Sequence, residues 1–459
     1  MGTGLTSTKT PYLHFIGNNA SDVTGSCTII RWKNKKIAVD MGLIQTNNIV
    51  VDYKSNKEQV KALKVKDIDA VIITHALHAD HSNGLLLGVH NGLKCPIYVP
   101  QGTMQILPIM LADSVKIMTQ DALKLQHSHG MKALPLADEA DIEKVLSLCV
   151  EKPFNERYKV IEDVYATNYH AGHIIASSQV LIELKDGYKV KKIAFTGDIN
   201  TEEKSVSVPP IQQIPYADIV VGEATYSDKS RAYSVKKDRW YDKQLAKTAI
   251  EQYNKILIPV FANQRLEDIL QFLVDINVTI PVYIDTPLGI KIYNNWIEKL
   301  SFEEALDLHF INEWTDSVAI QNKDEHCVIL ASSGMLTAGR AISHLKTLLP
   351  NPNNAVLFCG YSSPNTLASD IKVGARELKV DGEWVKNNAQ IYNLKTFSSH
   401  ANYFQLKDYY TKISCNKICV VHSNFATKVS FCEELQEELC EQGKSTRVIC
   451  VSQNQKIYF

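Results

Sequence analysis

Within the stretch "THALHADHSNG", seven positions from His75 to His81 hold three histidines and an aspartate. Zinc takes imidazole nitrogens and carboxylate oxygens, and a catalytic zinc site keeps one position open for water. A lone histidine is usually structural, but His75, His78, Asp80 and His81 packed this closely point to metal ligation. The cluster follows the apolar run "AVIIT", which places it at the C-terminal end of a strand. α/β folds usually carry their sites there.

Four more residues sit at the ends of other apolar runs: His173 in "HAGHIIAS", Asp198 in "AFTGDIN", His400 in "TFSSHAN" and His422 in "VVHSN". Taken singly, each reads as a polar residue at a turn. Taken with the histidine loop, they are not independent. His14, His90, His127, His129, His309, His326 and His344 have no such context and are assigned no metal.

Positioning these residues requires several elements. The first hundred residues read as short strands, "YLHFIG", "SCTIIRW", "KKIAVDMG", "AVIITH" and "PIYVP", separated by turn residues. Two helical periods follow, "TMQILPIMLADSVKIMTQDALKLQ" and "DEADIEKVLSLCV", the second with Asp138 as its cap. Strands return in "DVYATNYHAG", "QVLIELKDGYKVKKIAFTGD" and "ADIVVGEATY", with Asp186-Gly187 marking a hairpin. Residues 228–396 alternate helix and strand in the order of a parallel α/β sheet. The tail, from "NKICVVHSN" to "TRVICVSQ", returns to strand and helix. A chain of 459 residues exceeds what one core usually serves, so an αβ sandwich interrupted by a second α/β unit is expected, with segments 1–227, 228–396 and 397–459.

The bulk properties exclude some functions. A net charge of −1 gives no global positive field, so any nucleic-acid binding must come from a local patch or from bound metal. The 10 cysteines are scattered and read as reduced thiols, consistent with a cytoplasmic location. No run has the roughly 18 apolar residues that a membrane helix needs.

The motifs together resemble the metallo-β-lactamase superfamily, in its β-CASP branch of RNA-processing nucleases, and within it the shorter bacterial and archaeal relatives of the pre-mRNA 3′-end cleavage endonuclease. "VTGSC" and "IAVDMGLIQ" are similar to the opening hairpin with its first aspartate, Asp40. "THALHADHSNG", "AGHIIAS" and "FTGDI" are similar to the next three motifs. "GEATYSD" resembles the first β-CASP motif, giving Glu223. "SSGMLTAGR" and "GYSSPNTLASDI" resemble its glycine-bearing segments, with Asn365 where glycine is usual, and "FSSHA" and "VVHSN" resemble the last two. The final motif departs from the usual Val-His-Gly-Glu ending.

That resemblance implies a metallo-β-lactamase αββα sandwich interrupted by an inserted β-CASP α/β domain with a parallel sheet. It also implies two Zn2+ ions, one held by His75, His78, His173 and Asp198, the other by Asp80, His81, Asp198 and His422. Asp40 would orient the histidine cluster, a water activated between the metals would attack phosphorus, and His400, oriented by Glu223, would be the general acid. The implied partner is single-stranded RNA, cut endonucleolytically, and the family's habit implies a homodimer. In the inserted domain Gly334, Gly339, Arg340, Tyr361 and Arg265, with Lys346 and Lys372, are candidate substrate contacts.

One departure bears on all of this. The usual metallohydrolase loop is His-x-His-x-Asp-His, and here Leu77 adds a residue between the first two histidines. In an extended strand, side chains three apart point to opposite faces, so a β-bulge or tight turn at Ala76 and Leu77 is required to bring both imidazoles to one metal. Without it the alternative is a metal-poor, inactive RNA-binding relative. A 5′-exonuclease or DNA nuclease of the same branch is a further alternative.

Overall fold

The structure is a computed structural model and describes residues 10–46, 48–76, 78–202, 208–295, 302–360 and 362–459. They form two compact units, one from the residues up to 232 together with 400–459, the other from 233–399.

In the first unit, among the described residues, seven strands form a sheet in the order Lys456–Tyr458, Tyr12–Phe15, Thr28–Trp32, Lys35–Val39, Ala70–Ile72, Ile97–Pro100, Cys149–Lys152. A second sheet runs Arg447–Cys450, Cys415–Val421, Ala217–Glu223, Lys189–Phe195, Ser178–Asp186, Val164–His170, Arg157–Ile161. Alternation along the strands divides the apolar side chains between two faces. Ile30, Ile37 and Ile72 of one sheet meet Ile182, Phe195, Ile219 and Val421 of the other in a shared core. The reverse faces take helices. Ile29, Val71 and Ile97 pack on Val60 and Leu63 of Ile49–Leu63 and on Leu111 and Val115 of Leu107–His129. Leu181, Ala194 and Ile418 pack on Leu406 and Tyr410 of Tyr403–Lys412 and on Phe431 and Leu435 of Phe425–Glu441. The result is the expected αββα sandwich. The caps that the sequence supplies close its helices. Asp138 accepts from Asp141 N in a capping box before Glu139–Leu148, and Asn402 and Gln405 do the same before Tyr403–Lys412.

The second unit holds a sheet in the order Leu308–Phe310, Val282–Asp285, Cys327–Ala331, Lys255–Pro259, Ala355–Phe358, Gln390–Asn393, and every pairing in it is parallel. Both faces are apolar: Ile256 and Ile258 pack with Leu266 and Leu270 on one side, while Leu257 packs with Leu345 and Ile371 on the other. Near-continuous apolar strands are what a parallel sheet covered on both faces requires.

The division falls at 232/233 and 399/400 rather than at 227/228 and 396/397. Side-chain contacts account for the shift. Lys229 pairs with Glu434 at 2.8 Å, which ties the turn after residue 228 to the first unit. Phe397 is buried in the second unit's core with its ring 4.8 Å from that of Phe272, which holds the chain past residue 396 to the second.

Candidate metal centre

The loop that begins at Thr74 is pinned before its first histidine. Thr74 N donates to Asp40 Oδ1 at 2.7 Å, its hydroxyl meets the same carboxylate, and its carbonyl accepts from Ser178 N and Oγ. Asp40 Oδ2 also lies 3.0 Å from His81 Nδ1, so one buried carboxylate holds both ends of the loop. The segment after Asp40 runs alongside residues 79–81: Met41 N donates to His81 O and Leu43 N to Ala79 O. A side chain at Gly42 would place its Cβ 1.6 Å from Asp80 O, so only glycine permits this approach. Gly172 plays a similar part for His173, at a φ of 71° and with its Cα facing Asn200 O.

These contacts bring the expected ligands together. His75, His78, His173 and Asp198 form one group with ligand atoms within 4.8 Å of one another, and Asp80, His81, Asp198 and His422 form another. Asp198 belongs to both. Its Oδ2 lies 3.6 Å from His75 Nε2 and 3.7 Å from His173 Nε2, and its Oδ1 lies 3.4 Å from His81 Nε2 and 3.3 Å from His422 Nδ1. Tetrahedral bonds of about 2.0–2.1 Å would set two donors about 3.3–3.4 Å apart, so these separations suit donors sharing a metal ion. Both Asp198 oxygens and His75 Nε2 are buried without a hydrogen-bond partner. A buried carboxylate so placed is costly unless a cation compensates it. The donor set therefore fits metal ions on the grounds of chemistry and geometry.

Electrostatics agree. Burial, aided by neighbouring imidazoles, lowers the His75 and His173 pKa values well below the usual range, leaving neutral nitrogens. Burial would raise Asp198, but His422, His81 and His400 outweigh it and hold the carboxyl well below its ordinary value. Burial opposes charge on His81 as well, yet Asp198, Asp40 and Asp80 raise its pKa. Without an ion the second group thus retains a proton, which metal binding would release.

Beside these groups stands a dyad. His400 Nδ1 lies 3.2 Å from Glu223 Oε1, and Glu223 also accepts from Ile199 N and Thr225 N. Ala401 N donates to Ile199 O and Asn402 caps the next helix, so the chain on either side of His400 is fixed. The His400 ring lies 4.6 Å from the His173 ring.

Leu77 lies outside the described residues, as does Tyr361. His75 and His78 nonetheless meet, with ring centroids 5.5 Å apart. The other substrate candidates lie in the second unit, and two are turned inward. Arg265 is buried and donates to Cys359 O at 2.7 Å, and Arg340 is bonded to Asp285 and to the Ile311 and Asn312 carbonyls. Their guanidinium groups brace strand ends and loops. Lys372 likewise donates to Gly360 O, and Lys346 pairs with Glu383. Gly334 lies beneath the Phe261 ring, and Gly339 precedes the helix Arg340–Leu348. His90 with Asp138 and Asp141 forms a further acidic group, but Asp141 already serves the cap and pairs with Lys144.

Sequence reasoning missed Thr74 and Thr225. Thr225 Oγ1 lies 2.8 Å from His422 Nδ1. Their adjacency to ligand motifs, Thr74 before His75 and Thr225 two residues after Glu223, was the available signal.

A family model described as the Beta-Casp domain matches residues 264–371, and one described as the Zn-dependent metallo-hydrolase RNA specificity domain matches 384–445. Ribonuclease TTHA0252 of Thermus thermophilus is 28% identical over 408 residues, covering 85% of this chain and 88% of that protein. Transcription termination factor FttA of Methanocaldococcus jannaschii is 27% identical over 458 residues, covering 92% of this chain and 68% of that protein. The crystal structure of a protein of unknown function from Enterococcus faecalis V583 shares the fold at a TM-score of 0.58 and 12% identity, covering 98% of this chain and 100% of that one.

Proposed function

Because the chain belongs to the β-CASP branch of the metallo-β-lactamase superfamily, we propose that it is a zinc-dependent ribonuclease that cuts single-stranded RNA endonucleolytically. The observation that carries this reading is the His400–Glu223 pair beside two ligand groups that share Asp198. Zinc ions bound by these two groups would supply Lewis acidity and an activated water at neutral pH.

The chain's own residues do the rest. Water oxygen bonds to phosphorus, the bond from phosphorus to the leaving ribose oxygen breaks, and that oxygen must gain a proton. His400 is the donor. Burial disfavours its charged form, but Glu223 and Asp198 together raise its pKa above the usual histidine value, which favours the protonated form that a donor needs. Glu223 orients the ring by accepting from Nδ1, and Nε2 is the atom that would protonate the leaving oxygen. Asp80, whose Oδ2 lies 3.3 Å from His422 Nε2, would receive the proton that water loses.

RNA as substrate is supported by the names of the matching relative and of the matching specificity domain. The backbone around Gly334 and Gly339 in the second unit, with the Phe261 ring lying over Gly334, is a candidate for phosphate and base contact. Purified protein incubated with labelled single-stranded RNA tests the reading. Internal cleavage that is lost with chelator and restored by zinc supports it. Absence of cleavage in protein carrying its full metal content overturns it.

A further inference from the structure

A cavity of about 760 Å³ in the first unit lies between the helix Ile49–Leu63, the turn that follows it, and residues 132–136. Its walls carry Lys57, Lys61, Lys64, Lys66 and Lys132, all exposed, against a single lining carboxylate, Asp67. Among the described residues none of these five lysines forms an ion pair. Because the whole chain carries a net charge of −1, this density is a local feature.

Ordinary helix electrostatics explain only part of it. Lys61 and Lys64 end the helix, where cations suit the dipole. Lys57, Lys66 and Lys132 have no such reason. Lys57 and Lys61 are also four residues apart on one helix face, where like charges repel. Lys64 adopts a left-handed backbone at φ 45°, a position that favours glycine. The Tyr53 hydroxyl accepts from Leu134 N at 3.3 Å, which fixes the far wall to the helix. Lys57 Nζ also lies over the Tyr53 ring, 5.2 Å from its centroid, so the groove is a braced, lysine-rich surface whose repulsion a bound anion would relieve.

We infer that this groove binds the phosphate backbone of RNA as a second contact surface outside the metal centre. The identity of the anion rests on the ribonuclease reading. Lysines read phosphates as point charges and carry no sequence information, so the contact would add affinity without base preference. The helix also links the groove to the centre. Gln59 Nε2 donates to Gly42 O at 2.9 Å, and Asn56 is bonded to the Ile44 backbone, so the same helix props the segment that packs on Asp80.

The test is equilibrium binding of a labelled oligouridine of about 30 nucleotides across a salt series, in a His400→Ala background that keeps the RNA intact. The variant K57Q/K61Q/K132Q should weaken binding on the order of 10-fold and reduce the slope of log affinity against log salt by about 2, since each phosphate contact on a single strand contributes about 0.7. The variant K57R/K61R/K132R should keep both. With His400 present, the glutamine variant should cleave a very short oligouridine at the wild-type rate. An unchanged slope in a glutamine variant with wild-type circular dichroism would overturn the inference. Equal competition by polyglutamate of matched charge would overturn it too, in favour of an acidic protein. Should RNA bind through the lysines yet remain uncut by zinc-loaded protein, the ribonuclease reading fails and the groove stands. Should RNA be cut with an undiminished slope, the groove fails alone.

Discussion

His400 Nδ1 lies 3.2 Å from Glu223 Oε1, and the glutamate is fixed by two backbone amides from different segments, Ile199 N and Thr225 N. An acid held this way loses its role in two separable manners. His400→Ala removes the proposed proton donor and should reduce kcat by about 10²–10⁴-fold while leaving metal content intact. Glu223→Gln keeps the ring but withdraws a charge that raises the His400 pKa. The alkaline limb of the kcat profile should then move to lower pH, because the donor loses its proton sooner. Single-turnover rates across pH on both variants check this, and an unmoved limb in Glu223→Gln would exclude His400 as the titrating acid.

Asp198 faces both ligand groups, one oxygen to each. Asp198→Asn should therefore cost both metal ions, whereas His78→Ala should weaken only the group containing His75 and His173. Elemental analysis after dialysis separates the two cases. Chelator should lower the Tm of the wild type, since a ligand bound only to the folded state stabilises it, and should leave Asp198→Asn unaffected.

Gly42 shows how narrowly the centre is built. A β-carbon there would overlap Asp80 O, whose carbonyl already accepts from Ser26 N. Gly42→Ala should destabilise the protein by more than about 3 kcal/mol, the range of substitutions that force backbone apart, and should reduce metal affinity with it. Thermal melts with and without zinc measure both effects.

Much of this was legible in the sequence because local chemistry decided it. The helix at Leu107–His129 follows from apolar spacing, and Asp138 announces the next helix through a cap that needs only Asp141. The candidate ligands could be picked out because strand ends collect such residues. Arg265 and Arg340 were not, since their directions depend on remote partners: Cys359 lies 94 residues from the first, and Asp285 lies 55 residues from the second. A basic residue beside a glycine-rich segment looks like a phosphate contact until the carbonyl or carboxylate that claims it is placed beside it. The lysine groove escaped for the same reason, as Lys132 joins Lys57 and Lys61 only once the chain folds back.

Glu267 supplies a pH dependence remote from the metal ligands in sequence. In the helix Arg265–Asp275 it is fully buried, and neither carboxylate oxygen has a hydrogen-bond partner. Burial, with a smaller contribution from Asp268, raises its pKa from 4.5 to about 8. The neutral form is thus favoured in the folded state, while the unfolded chain ionises from its ordinary value upward. The sign follows: the folded protein binds the extra proton, so stability is fully present below pH 4.5 and is lost as pH rises towards 8. The shift corresponds to an upper bound of about 5 kcal/mol. Glu267→Gln keeps the shape and removes the ionisation, so it should flatten this dependence and raise stability at pH 8 by about 1–3 kcal/mol after the amide's own desolvation cost. Urea melts of both proteins between pH 5 and pH 9, with metal present throughout, decide it. Parallel curves would mean that Glu267 has the same pKa in the folded and unfolded states.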